Sequence, residues 1–162
     1  MISILSAAPW LQDPKYRLIL QCQTKTHLLR RFLSENGWRI TEESAVRDGR
    51  FIYTAMEVIW QPGYILTPGE WFFPPALLEN PAQCLPEYFQ RTVNTLRKIV
   101  EGRGEQAEPE LVQALSQLDE MANGVMVTLA NAITYKPQLE KIAYDGAKVE
   151  ELSCKLAAAY AE

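Results

Sequence analysis

Apolar and polar residues follow one another with three different periods over the first sixty positions. Leu18-Ile19-Leu20 is a continuous apolar run, which suits a strand covered on both faces. Leu28, Leu29, Phe32 and Leu33 then recur at helical spacing, so a helix follows. Thr24 or Thr26 is placed to cap its start, because a hydroxyl accepts a hydrogen bond from a free backbone N–H. Asn36-Gly37 stops it, since glycine reaches the left-handed conformation at little cost. Trp38 to Ser44 alternates Trp38 and Ile40 against Arg39 and Thr41, and Phe51 to Trp60 puts Ile52, Thr54, Met56, Val58 and Trp60 on one face. Asp48-Gly49 is the turn between these two strands. The unit reads strand, helix, strand, turn, strand. Ahead of it, Ile2 and Leu5 share a face of a helical end, and Pro9 and Pro14 punctuate a connecting loop.

The pattern changes at Gln61. Five of the chain's ten prolines fall between Gln61 and Gln83, as in a linker. Trp71-Phe72-Phe73-Pro74-Pro75 is too apolar for a free linker and is expected to pack across an adjoining surface. From Leu85 the period is helical again. Leu85, Tyr88, Phe89, Leu96, Ile99 and Val100 mark one helix ending at Gly102. Pro109 opens the next, where Leu111, Leu115, Leu118, Ala122, Val125 and Leu129 form a coiled-coil-like seam. Pro137 breaks that pattern, and Val149, Leu152 and Leu156 mark a last amphipathic helix. This part reads as an antiparallel helical hairpin with one or two shorter helices following.

Composition narrows the possibilities. Nearly half of the 162 residues are hydrophobic, which supports a packed core. The net charge of −4 gives no global basic field, but it hides an asymmetry. Met1 to Trp60 carries a net +2 and Gln61 to Glu162 a net −6, so an anionic partner would prefer the first part. Cys22, Cys84 and Cys154 are widely spaced and odd in number. That argues against a disulfide framework or a metal site and for a reducing cytoplasm. No apolar run approaches the roughly 20 residues of a membrane span, and the apolar opening has no basic leader.

Five blocks occur in order: Arg17-Leu18-Ile19-Leu20-Gln21, Leu29-Arg30-Arg31-Phe32-Leu33, Asn36-Gly37-Trp38-Arg39-Ile40, Glu42-Glu43, and Asp48-Gly49-Arg50-Phe51-Ile52-Tyr53. Together they resemble the bacterial methyltransferases that modify N1 of the adenine at position 22 of tRNA. The resemblance covers Ile4 to about Gly102 and is strongest over Arg17 to Val58. It implies the C-terminal part of an α/β, class I methyltransferase sheet of order 3-2-1-4-5-7-6. Arg17–Gln21 would be the fifth strand, Trp38–Ser44 the sixth and Phe51–Trp60 the seventh, followed by a helical hairpin. The implied organisation is a partial methyltransferase domain over 1–62, a proline-rich connector over 63–83 and a helical region over 84–162.

Two departures qualify what the resemblance implies. The family's glycine-rich donor loop has no counterpart, and its Gly-Met-Gly-Gly segment would lie before Met1. Cys22-Gln23 stand where the family has Pro-Asn. The expectation is a chain that is inactive alone, because the half that binds S-adenosylmethionine is missing. The alternative is a non-catalytic truncated paralogue acting as an RNA- or protein-binding module. S-adenosylmethionine would serve the complete family protein and tRNA would be the partner. An open strand edge or the C-terminal helices would promote a homo-oligomer.

Adenine N1 already carries a lone pair, so methyl transfer needs placement and exclusion of water rather than a general base. No catalytic, donor-binding or metal-ligating residue is therefore singled out. Ligands of open α/β sheets bind at the C-terminal ends of strands. Gln21, Gln23 and Lys25 lie just past such an end, either near a nucleotide or as an ordinary polar loop. Arg30 and Arg31, with Lys25, Arg39, Arg47 and Arg50, are candidates for a phosphate-binding surface, or for a solvated face with local ion pairs. His27 is read as a first-turn helix residue, and Glu42-Glu43 as facing solvent or pairing with arginines. Trp71, Phe72 and Phe73 are read as packing rather than stacking on bases.

Overall fold

The computed structural model describes residues 1–79 and 81–123. Val125 and Leu129 of the seam, the break at Pro137 and the helix of Val149, Leu152 and Leu156 lie outside the described residues. The chain divides into two units, Met1–Glu120 and Met121–Glu162, and the first holds everything discussed below except residues 121–123, the end of the last helix described.

A short helix, α1 (Ile2–Ala7), and a tight turn at Pro9–Gln12 lead into β1 (Arg17–Gln21). Then come α2 (Thr26–Glu35), β2 (Trp38–Asp48) and β3 (Phe51–Trp60). The three strands form one sheet of order β1-β3-β2, and β3 runs antiparallel to both neighbours. The apolar face of β3 is as the alternation predicts, with Thr54, Met56 and Val58 buried. Leu29 and Leu33 of α2, together with Trp38 and Ile40, are buried in the same core.

Three expectations change. First, β1 is not covered on both faces among the described residues: Leu18 and Leu20 are half-buried, but Ile19 is 70% exposed. Second, neither Thr24 nor Thr26 caps α2. Lys25 occupies the cap position in the left-handed region, at φ 56°. Thr26 donates back to the Cys22 carbonyl at 3.5 Å, and no side chain accepts from the free N–H groups at the helix start. Third, the alternation of β2 breaks at Thr41. Ile40 faces Val58 and Glu42 faces Glu57, which leaves Thr41 as the extra residue of a bulge. A bulge re-aims the side chains beyond it. Trp38 and Ile40 point inward before it, and Glu43 and Ala45 after it.

Gly37 ends α2 at φ 80° against the edge-on pair of Trp38 and Trp60. A Cβ there would sit 2.8 Å from the Trp60 ring, so both conformation and space demand glycine.

The proline-rich stretch after β3 is folded. It contains α3 (Pro68–Phe72) and α4 (Ala76–Glu79), the second packed on β2. The Thr67 N–H donates to the Glu70 carboxylate at 2.7 Å, which favours the start of α3. The Leu66 N–H donates to Ser34 Oγ at 2.7 Å and ties the stretch to α2. Trp71, Phe72 and Phe73 are buried, as their composition led us to expect. Beyond them lie α5 (Leu85–Arg103) and α6 (Pro109–Asn123). Ion pairs join them at the turn (Arg103 with Glu108) and farther along (Arg97 with Asp119, 2.7 Å), so they run side by side in opposite directions. Phe89, Val93 and Leu96 of α5 and Ala114 and Leu118 of α6 are buried.

Candidate functional site

The bulge at Thr41 turns Glu43 into the interior, and its partner comes from α2. Arg30 donates through Nε and Nη2 to the two carboxylate oxygens of Glu43, at 3.1 and 2.6 Å. Its Nη1 reaches the carbonyls of Trp71 and Phe72 at 3.0 and 2.8 Å, and Nη2 also reaches Tyr88 Oη at 3.1 Å. Neither side chain is more than 1% exposed. Burial by itself opposes the guanidinium's charge, but Tyr88 and Glu43 outweigh it and raise the pKa, so Arg30 stays protonated. One side chain thus ties α2, β2, α3 and α5 together. A buried pair of this kind holds only when its hydrogen bonds are made, and here they are.

Directly beside this hub the surface opens. A cleft of about 220 Å³ lies between the start of α2 and the face of α5 that carries Tyr88, Arg91, Thr92 and Thr95. A groove of about 550 Å³ continues from it toward the hairpin turn. His27 and Phe72 border both, stacked face to face with centroids 4.5 Å apart and planes 9° apart. Burial lowers the pKa of His27, and the charges of Arg30 and Lys25 lower it further, so the ring is neutral near pH 7. Leu28, Ile99 and Leu111 supply apolar wall, and Lys25, Arg31 and Arg103 supply charge. Arg31 lies over the Trp71 ring at 4.5 Å and pairs with Glu35 at 2.8 Å and Glu110 at 3.4 Å. Arg103 pairs with Glu108. Lys25 is exposed and has no ion-pair partner among the described residues. The Trp71 indole N–H is buried without an acceptor among them.

The candidates from sequence are therefore sorted. Lys25 and Arg31 meet at the groove, whereas Gln21 and Gln23 are exposed nearby but do not line it. Arg30 leaves the phosphate-binding set, because its guanidinium is enclosed and all its directions are used. Of the remaining arginines, Arg39 binds Gln61 at 3.2 Å, Arg47 pairs with Glu87 and Arg50 lies against Phe51. Glu42 is exposed, while its neighbour Glu43 is buried. Sequence reading missed the α5 face. Its signal was available, since Tyr88, Thr92, Thr95 and Ile99 recur three or four apart on one side of a helix. Among the described residues no cluster of His, Cys, Asp and Glu could hold a metal ion, and no helix is long and apolar enough to cross a membrane.

A sequence model of the tRNA (adenine(22)-N(1))-methyltransferase family, TrmK, matches residues 1–123. A comparison with curated proteins gave no match. Among solved structures, Sp1610 of Streptococcus pneumoniae, in complex with S-adenosyl-L-methionine, is similar at 22% identity and a TM-score of 0.57. That match covers 74% of this chain and 53% of the other. A protein of the NADB-Rossmann superfamily from Streptococcus agalactiae matches at 23% identity and a TM-score of 0.56, over 74% and 53%. The B. subtilis m1A22 tRNA methyltransferase TrmK matches at 17% identity and a TM-score of 0.51, over 82% and 57%. The chain spans about half the length of these solved chains, and at such identities the likeness is one of fold.

Proposed function

Because the chain belongs to the tRNA (adenine(22)-N(1))-methyltransferase family, we propose that it supplies the closing part of such an enzyme. In this reading β1, β2 and β3 are the fifth, sixth and seventh strands of a class I sheet. Residues 1–62 are part of the methyltransferase domain, 63–83 the connector and 84–162 the helical region. The observation that carries the reading is the strand order. β3 lies between β1 and β2 and antiparallel to both, which is how the seventh strand of a class I sheet sits between the fifth and sixth.

The complete enzyme would take its methyl group from S-adenosylmethionine, and these 162 residues alone would not bind it. The groove supports that view on chemical grounds. Its rim is set with Lys25, Arg31 and Arg103, and its two acids, Glu108 and Glu110, are already paired with arginines. A sulfonium cation gains nothing there. The same charges suit tRNA. Lys25 and Arg31, with Gln21 and Gln23 beside them, would contact the RNA in the cytoplasm, and Arg30 would hold the elements that present them.

A second reading, a non-catalytic binding or assembly module, is favoured by β1. Its outer edge is unpaired among the described residues and Ile19 is exposed on it, which suits a homo-oligomer. Calorimetry and fluorescence anisotropy on this chain test the main reading. No heat of binding with S-adenosylmethionine is expected, together with tRNA binding that weakens as salt rises. Tight binding of the methyl donor would overturn it.

A further inference from the structure

We propose that the groove between α2, α3 and the helical hairpin holds a single unpaired nucleotide of an RNA. Its base would lie on the apolar wall beside His27 and Phe72, and its phosphate against Lys25. This deepens the tRNA-handling reading and rests on it.

Size, polarity and charge each limit the occupant. About 550 Å³ falls in the range of roughly 300–1,000 Å³ typical of small-ligand clefts, so one nucleotide fits and a paired helix does not. Ile99 and Leu111 make the wall apolar, which suits a flat base and not a bare phosphate. His27 is half-buried with one face taken by Phe72, and what it leaves open on the groove's border is aromatic, of the kind on which unpaired bases stack. The charge at the rim is net positive although the whole chain is net −4, and Lys25 alone among the rim cations lacks a carboxylate. A ligand with one negative charge beside a planar apolar body matches that combination. An apolar peptide would leave Lys25 unanswered, and a sulfonium would find no free carboxylate.

The test uses the whole chain, a fluorescein-labelled tRNA transcript and a blunt RNA duplex of equal length, read by anisotropy. Thr95 is exposed and borders the groove, so Thr95→Trp fills it without changing charge. We expect Thr95→Trp to weaken tRNA binding by about tenfold or more, the size of a lost base stack. Lys25→Ala should weaken it by about tenfold, as for a hydrogen bond to a charged group. Lys98→Ala removes the same charge from an exposed α5 position that does not line the groove, and should stay within about twofold. The duplex should bind more weakly than the tRNA. Circular dichroism confirms that each variant is folded, and Lys25→Ala decides the matter if Thr95→Trp is not. Folded Thr95→Trp or Lys25→Ala binding as the unaltered chain does would overturn the groove assignment and leave the tRNA reading standing. Equal loss in Lys25→Ala and Lys98→Ala, or equal affinity for duplex and tRNA, would also overturn it. No tRNA binding by the unaltered chain would remove both.

Discussion

The interior of the sheet and its open edge reverse the usual placement of polar and apolar groups. Arg30 is 1% exposed, while Ile19, an aliphatic residue in the middle of a strand, is 70% exposed. Arginine is almost never buried unless paired, and here every N–H of its fork that faces the core has an acceptor. Ile19 is exposed because the elements among the described residues cover only one side of β1. Burial is thus decided by which partners are in reach, not by the side chain's own preference. A satisfied charge inside marks a joint within the chain. An unsatisfied apolar group outside marks a surface suited to something further.

Breaking the joint should have the largest effect. Arg30→Met leaves the buried Glu43 carboxyl without its partner and strips the Trp71 and Phe72 carbonyls of their donor. The expected loss is about 3–5 kcal/mol, read as a lower urea midpoint. Arg30→Met with Glu43→Met should recover part of that loss, because no buried polar side chain is then left without its partner. If the double variant is as unstable as the single one, the pair is not the unit that holds the joint.

The open edge should respond differently. In light scattering the unaltered chain is expected to run larger than a monomer. Ile19→Lys should shift it toward monomer, since a charge blunts an edge strand. Its unfolding free energy, compared at a dilution where both chains are monomeric, should stay within about 0.5 kcal/mol of the original, as for other surface changes. A unaltered chain that is already monomeric would take the assembly reading away.

The smallest effect concerns pH. The lowered pKa of His27 means the unfolded chain takes up a proton before the folded one does. Stability is therefore full above about pH 6.5 and declines as pH falls from there through the folded value. His27→Gln should remove that part of the decline, measured by urea midpoints between pH 7.5 and 5. An identical pH profile in the variant would show that His27 is not its source.

Much of the architecture could be read from residue order because it depends on neighbours a few positions apart. The helical stripe of Leu29 and Leu33, the stop at Gly37 and the alternation through Thr54, Met56 and Val58 are local patterns, and each element formed where they lie. The five blocks that carried the family resemblance are of the same kind. The site was less legible. Lys25 and Arg31 stand out by charge, but nothing near them in the chain says that Arg103 and Thr95 will face them across a groove.

The exchange between Arg30 and Arg31 shows where local reading stops. The two are adjacent, identical in chemistry and equally plausible as phosphate ligands, yet one is enclosed and the other lines the groove. The difference was made by one extra residue at Thr41, which turned Glu43 rather than Glu42 toward Arg30, and by carbonyls forty positions away in α3. Periodicity specifies which face of an element is apolar. Only the packing of distant elements supplies the acceptors that make it possible to bury a charge.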